Sequence, residues 1–490
     1  MRVSEDLVAV RLTKLERLRA RGIEPYPYKF ERSHTTTAVR ERFADLPPNT
    51  RTGEEVRLAG RIFSLRRMGK LTFADLRDGS GRIQLFVSKN VLGEEYDLFL
   101  ELDLGDIVGI WGEVITTKTG ELSVEVQGFE LLAKALRPLP EKWHGLRDPE
   151  KRYRFRELDL LTNEKSHKVL LDRALIVSTM RRHLERKGFI EVETPILQPI
   201  PGGAAARPFI THHNALDRDL YLRIAPELYL KRLLVAGYEK VFEIGKNFRN
   251  EGISTQHNPE FTAMEAYQAY GDYYDAMELA EDLICECVEA VHGALELQYQ
   301  GRRVDFSRPW RRVTLYELLS GEFGIDPEAP LEALLSELER KGVECPEHLR
   351  AGPKGKLLEH LLELVEGRLV DPTFVMDYPL DISPLAKRKR GNPELVERFE
   401  LFIAGFEVAN AFSELNDPEE QRERFLMQER LRAAGDEEAH RVDEAFLRAL
   451  EHGMPPAAGI GIGVDRLVMI LTDSPSIREV IAFPLVGERR

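Results

Sequence analysis

The stretch Val241-Phe-Glu-Ile-Gly-Lys-Asn-Phe-Arg-Asn-Glu251, followed by Phe261-Thr-Ala-Met-Glu-Ala-Tyr267, reads as a strand, a polar loop and a returning strand. Successive side chains of a strand point to opposite faces, so Glu243, Asn247, Arg249 and Glu251 share one face. Phe261, Glu265 and Tyr267 share a face on the return. One surface therefore offers an arginine, carboxylates, an aromatic plate and a phenol. That set suits a phosphate, an ammonium group and a flat base held together. A surface hairpin with one Arg-x-Glu ion pair is the simpler reading, and what counts against it lies elsewhere in the chain.

Phe248-Arg249-Asn250-Glu251 resembles the second signature of the class II aminoacyl-tRNA synthetases. Gly188-Phe-Ile-Glu-Val-Glu-Thr-Pro195 resembles the first, a helix running into a strand that ends on proline. Gly459-Ile-Gly-Ile-Gly-Val-Asp-Arg466 resembles the third, a glycine-rich strand feeding a helix with arginine at the junction. All three stand in order. Pro201-Gly-Gly-Ala-Ala-Ala-Arg-Pro-Phe209 and Pro226-Glu-Leu-Tyr-Leu-Lys-Arg232 are similar to the lysyl branch of that family. The resemblance implies an α+β fold: an antiparallel catalytic sheet flanked by helices, an N-terminal OB-fold barrel and a helical insertion. It also implies ATP, L-lysine and tRNA(Lys) as partners, magnesium as cofactor and a homodimer built around the first motif. The implied reaction joins lysine to ATP as lysyl-adenylate, releases pyrophosphate and passes lysine to the tRNA 3′ end.

The glycines Gly459-x-Gly461-x-Gly463 do not have G-x-G-x-x-G spacing, and no strand–helix–strand unit remains after them, which excludes a dinucleotide fingerprint. At 490 residues the chain has room for two or three domains. A hydrophobic content of 43% with 31% charged residues is that of a globular protein. No apolar run approaches the roughly 20 residues of a membrane helix, and the N-terminus has no apolar signal core. A cytoplasmic enzyme with no membrane or DNA partner is expected. Three cysteines make a disulfide framework unexpected, and Cys285-x-Cys287 has no second ligand pair. The net charge is −14, yet residues 1–131 hold 20 Lys+Arg against 21 Asp+Glu, so the acidity lies in the remainder. RNA contact must then use local basic patches rather than the overall field.

Alternating charges and apolar residues over 3–22 predict an amphipathic helix, and short alternating strands from Val56 to Leu131 predict a small barrel, the OB-fold first. Residues 1–132 are read as helix plus barrel, and 133–160, with three prolines and Trp143, as a linker. Residues 161–490 are read as the catalytic domain, with a Leu/Glu-rich helical insertion at about 315–369.

A pentavalent α-phosphate needs charge neutralisation and alignment, and the substrate carboxylate is itself the nucleophile. Arg249, Glu251 and Arg466 are the expected catalytic residues. The planar fork of Arg249 suits both the α-phosphate and the lysine carboxylate. His257 in the loop is placed at the β- or γ-phosphate, Phe261 on adenine, and Arg466 near a helix N-terminus on the γ-phosphate and adenine side. A hairpin turning near Ile403–Gly405 is expected to bring Glu400 and Glu407 to roughly opposing positions, where magnesium would relieve their repulsion. Lysine's ε-ammonium is assigned to Glu414 with Glu265 and Tyr267, its α-amino group to Glu227 and the backbone at Gly203. Asn410 is assigned to the carboxylate and Phe412 to the aliphatic stem. In the barrel, Phe73 and Gln84 stand on consecutive strands beside Arg61, Arg66, Arg67 and Lys70, a set that suits unpaired bases. The resemblance assigns them to the anticodon, with Glu121 at a flanking base.

Three alternatives share parts of this pattern. An aspartyl or asparaginyl enzyme needs a cationic or neutral pocket, against the acids here. A protein-lysylating paralogue lacks the barrel. A catalytically dead RNA-binding relative has no use for Arg249, Glu400, Glu407 and Arg466.

Overall fold

In a computed structural model of the chain, which describes residues 5–140, 146, 148–350 and 352–487, the chain divides into two compact units, 1–146 and 147–490. Trp143 lies outside the described residues.

The first unit starts with helix α1 (Glu5–Ala20). The alternation that follows builds five strands, β1 (Arg51–Met68), β2 (Leu71–Arg77), β3 (Arg82–Ser88), β4 (Ile107–Thr116) and β5 (Leu122–Ala133). They close into a barrel in the order β1-β2-β3-β5-β4, parallel only between β3 and β5. The sequence suggests short strands throughout, but β1 runs 18 residues. A bulge between Ile62 and Ser64 lets this one strand pair with both β2 and β4. Leu58, Ile62, Ala74, Leu76, Ile83 and Leu85 point inward and form its core.

In the second unit, the part of the expected 133–160 linker from Pro149 onward instead forms two short helices, Pro149–Arg154 and Arg156–Thr162. Arg156 is buried there because its guanidinium caps the carbonyls of Glu479 and Ala482 and pairs with Asp159. Helix α2 (Glu164–Arg186) then leads into β6 (Ile190–Glu191), β7 (Lys240–Phe248) and β8 (Glu260–Ala269). Helix α3 (Glu227–Val235) precedes β7, and α4 (Tyr273–His292) follows β8. Beyond β9 (Arg311–Thr314) come three insertion helices, α5 (Leu315–Phe323), α6 (Leu331–Arg340) and α7 (Lys354–Val365). Strands β10 (Thr373–Pro379), β11 (Asn392–Ile403), β12 (Phe406–Ser413) and β13 (Ala457–Gly463) complete the sheet, and α8 (Val464–Leu471) closes the fold.

The sheet order is β9-β10-β11-β12-β13-β8-β7-β6, antiparallel at its centre and parallel at the two outer pairs. One face carries Phe242, Met264, Ala266, Ile460, Phe399 and Leu401, all buried in one apolar cluster that includes residues of α2, α4 and α8. Side chains of opposite parity face the other way and are mostly polar. The β11–β12 turn uses Ala404 and Gly405, both at positive φ (56° and 85°), the two-residue turn whose twist matches a hairpin. A Cβ on Gly405 would stand 3.0 Å from Gly367 Cα, so only glycine suits that corner.

Candidate active site

The polar face of the sheet is laid out by strand register. One row runs Glu243–Glu265–Gly461–Asn410–Glu400, and the next runs Val241–Tyr267–Gly459–Phe412–Arg398. Glycine occupies the middle of each row, so the sheet has a floor without side chains between two walls that have them. A cavity of about 450 Å³ lies over that floor. Of the residues expected at the catalytic centre, Gly203, Glu227, Arg249, Glu251, His257 and Phe261 line it. So do Glu265, Tyr267, Glu400, Glu407, Asn410, Phe412 and Arg466. Glu414 is not among the lining residues; it is 1% exposed, and its Oε1 takes the space that a Cβ on Gly459 would need.

Glu243 shares the parity of Arg249 but takes no part. It is buried against Arg223, and accepts from Thr194 Oγ1 at 2.7 Å and the Thr194 amide at 3.1 Å. The strand ends at Phe248, so Arg249 and Glu251 project from the loop that continues it.

The cavity is polarised. At one end Arg249 lies 5.1 Å over the ring of Phe261, with its buried Nε unpartnered. Burial lowers its pKa, opposed by Glu251 and Glu407. Arg466, in the first turn of α8, donates to the Glu407 carbonyl at 2.7 Å and to Glu407 Oε2 at 3.1 Å. Its other nitrogen lies 3.1 Å from His257 Nε2. Burial, then the charge of Arg466, lowers the pKa of His257, so the ring stays neutral near pH 7. Two guanidinium groups and a neutral imidazole thus face one space.

The opposite end is acidic. Glu227, Glu265 and Glu414 are all buried. Tyr267 donates to Glu265 Oε2 at 3.0 Å. Burial and repulsion from Glu227 push Glu265 up to about 8. Glu414 is also pushed up by burial, against the pull of Lys231. Lys231 forms ion pairs with Glu227, at 2.5 Å, and with Glu414. Among the described residues neither Glu414 oxygen has a well-directed hydrogen bond, and the cation paired with this carboxylate is Lys231, at Oε2.

Glu400 and Glu407 sit on the side wall, though not in the expected relation. Glu400 opposes Asn410, and Glu407 opposes Phe402. The two-residue turn pairs Ile403 with Phe406 and hence Phe402 with Glu407, and because Phe402 and Glu400 share a face of β11, Glu407 faces the same way. A bulge between Leu401 and Phe402 then puts one extra β12 residue, Val408, into the ladder and brings Asn410 opposite Glu400. Burial raises Glu400 to about 7, with repulsion from Glu407 and Glu359 opposing the help of Arg398. Each carboxylate already has one guanidinium partner, Arg398 on Glu400 and Arg466 on Glu407, and the hard oxygens that remain are donors of the kind magnesium takes. No cluster of three or more protein ligands occurs among the described residues, so the pair would hold such an ion only jointly with a ligand.

Sequence reasoning missed two residues. Arg398 lines the cavity, donating to Glu400 Oε1 at 2.7 Å and Asn410 Oδ1 at 3.2 Å. Its even parity with Glu400 was the available signal. Lys231 was the other; its spacing of four from Glu227 put both on one face of α3.

On the barrel, Phe73 and Gln84 both point outward and are half-buried, while Ala74, Leu76, Ile83 and Leu85 fill the core. Gln84 donates to Ser123 Oγ at 2.9 Å, and Ser123 Oγ to the Glu121 carbonyl at 3.1 Å, so Glu121 adjoins the pair. Arg66 opposes Phe73 and reaches Gln84 Oε1 at 3.4 Å. Arg61 stands apart, opposite Arg77, and donates to the Gly105 carbonyl at 2.7 Å. The basic partner of the aromatic plate is therefore Arg66.

Residues 148–487 match the family described as tRNA synthetases class II (D, K and N), and residues 56–132 match the OB-fold nucleic acid binding domain. The chain is 55% identical over 487 residues to the lysine–tRNA ligase of Moorella thermoacetica, covering 99% of this chain and 98% of that one. It is 54% identical to the enzyme of the same name from Carboxydothermus hydrogenoformans, covering 99% and 98%. The lysine–tRNA ligase of Thermotoga maritima is 52% identical over 484 residues, covering 98% and 96%.

Proposed function

The chain belongs to the class II tRNA synthetases, and on that premise we propose that it is a lysine–tRNA ligase, activating L-lysine with ATP and charging tRNA(Lys). The single observation that carries the choice of amino acid is the buried acidic end of the cavity, where, among the described residues, Glu414 Oε1 has no well-directed hydrogen bond and Glu265 waits beside a phenol. An aspartate or asparagine side chain would leave these carboxylates uncompensated, whereas an ε-ammonium pairs with them.

In this reading lysine lies along the glycine floor. Its ε-ammonium meets Glu414, Glu265 and Tyr267, its stem lies on Phe412, and its α-amino group meets Glu227 and the Gly203 backbone. Asn410 and Arg249 hold its carboxylate, which attacks the α-phosphate. Arg249 also takes the charge that develops on the phosphate, as a fork already aimed at both oxyanions. ATP stacks on Phe261, with Glu251 at its adenine end and Arg466 and His257 along the polyphosphate. Glu400 and Glu407 would hold magnesium, which supplies charge neutralisation on the phosphates. The outward Phe73 and Gln84 of the barrel, with Arg66 and Glu121, would stack on and read anticodon bases; Arg61, already committed to a backbone carbonyl, belongs to the barrel's framework.

A homodimer is proposed from the exposed large apolar residues Leu171, Ile190, Ile196, Leu197, Ile210 and Leu216, which cluster in sequence around the first motif. No helix among the described residues is long and apolar enough to cross a membrane. The decisive experiment is pyrophosphate exchange with each of the standard amino acids, followed by charging of defined tRNAs. Lysine alone should support exchange, and tRNA(Lys) alone should be charged. Exchange with aspartate or asparagine instead would refute the reading.

A further inference from the structure

Lys231 is wholly buried, 0% exposed, in the middle of the acidic end of the cavity. Its ammonium pairs with Glu227 Oε1 at 2.5 Å and with Glu414 Oε2, and lies 5.2 Å over the ring of Phe412. These are the residues to which the substrate's own amino groups and stem are assigned above. Two buried carboxylates thus share one buried cation. The geometry points to Lys231 as a positioning residue for amino-acid selection: a resident ammonium that occupies Glu227 Oε1 and Glu414 Oε2, fixes the plane of the Glu414 carboxylate, and leaves Glu414 Oε1 for one further cation brought by the substrate.

The inference rests on the lysine reading of the cavity and deepens it. Burying an unpaired carboxylate is costly, and a carboxyl in that position takes up a proton instead. With one resident ammonium, Glu414 needs only one guest charge to be fully compensated. A protonated Glu414 would present a neutral acid to the ε-ammonium and lose most of its discrimination against uncharged side chains of similar length. Both carboxylate oxygens would also be free to turn, because the ion pair with Lys231 is what fixes the plane of the group. The groups that face Glu414 are Lys231 and Glu227 from α3, and Glu265 and Tyr267 from β8. Arg398 of β11 acts on Glu227, and His440, buried and kept neutral with its pKa lowered to about 4, faces Lys231. Strand β13 contributes only glycine at this point. Among these, only Lys231 places a cation against Glu414.

The sign of the effect follows. Lys231 lowers the pKa of Glu414, so its removal raises that pKa further. Below the raised value Glu414 is protonated and lysine binds poorly. Above it Glu414 ionises again, while the substrate ammonium stays charged to about pH 10.

The test uses full-length Lys231→Met beside the native protein, with lysine-dependent pyrophosphate exchange followed from about pH 6.5 to 9.5. Near pH 7 the variant's KM for lysine should rise about tenfold or more with KM for ATP little changed, and the ratio to native should shrink steadily as pH rises. A ratio that is the same at every pH, or a fall in kcat with KM for lysine unchanged, overturns the inference. Should the methionine variant fail to fold, Lys231→Gln takes the same test. If neither neutral variant folds while Lys231→Arg folds with native kinetics, the residue is a structural ion-pair partner and the inference fails. Native protein without lysine-dependent exchange removes the ligase reading and this inference together. Native exchange with an unaltered pH ratio removes this inference alone.

Discussion

A methyl group added at Gly459 would run into Glu414 Oε1 and the ring of Tyr267. Gly459→Ala should therefore cripple lysine use and also cost stability, because Glu414 and Tyr267 are buried and must give way. KM for lysine should rise at least about tenfold, with a lowered melting temperature, measured by exchange kinetics and calorimetry. Glu265 gives a second prediction at this scale. Burial holds its carboxyl up to about 8, so near pH 7 it carries a proton that an arriving ε-ammonium should displace. Lysine titrations in buffers of different ionisation enthalpy should report net proton release near neutrality, fading above about pH 9. No buffer dependence would contradict the shift. The same shift works against stability as pH rises. The folded protein holds this proton more tightly than the unfolded chain, so the group stabilises the fold below the ordinary 4.5, and that contribution is lost as pH climbs through about 8.

Residues of this kind were unequally legible. Arg249, Phe261, Glu265 and Tyr267 could be placed on one surface by strand parity alone, since parity is a property of the chain. Lys231 could not, because an i, i+4 Glu–Lys pair on a helix is usually a solvated surface pair, and only the tertiary packing shows that this one is buried.

At the scale of elements, the β11–β12 hairpin and its turn could be read from Ile403-Ala-Gly405, but the bulge could not. A one-residue insertion in the ladder leaves no mark in an apolar–polar alternation as short as Phe406–Ser413. It matters because it brings Asn410 and Phe412 onto the face that Glu400 and Glu407 already share. Removing both charges with Glu400→Gln and Glu407→Gln should raise the magnesium concentration needed for half-maximal exchange by about tenfold or more, with little change in KM for lysine, as a magnesium titration would show. An unshifted magnesium midpoint would mean that the pair serves another end. The barrel was legible as a count of short strands, whereas the length of β1 was not. Its bulge lets one segment serve two partners, and the composition of Arg51–Met68 does not announce a break or its absence.

At the scale of the whole molecule, two units each carry a separate part of the proposed task, one outward aromatic and amide pair on the barrel and one polarised cavity on the sheet. The division follows from their separate cores. Phe73→Ala should therefore lower tRNA charging, by about tenfold or more from the loss of one stacked base, and leave tRNA-independent pyrophosphate exchange at its native rate. Parallel losses in both assays would mean that Phe73 supports the fold rather than the RNA. The sequence read the order of these parts from three motifs and a change of periodicity, while the two short helices at 149–162 escaped it. Prolines and charges there resemble a linker, and only the burial of Arg156 against Glu479 and Ala482 makes the segment part of a domain.

The account turns on a buried carboxylate that has one resident cation and lacks a second. Glu414→Gln keeps the shape and removes the charge. Lysine-dependent pyrophosphate exchange should then show a KM for lysine raised by about tenfold to a hundredfold, with KM for ATP nearly native. Lysine kinetics indistinguishable from those of the unaltered protein would contradict it.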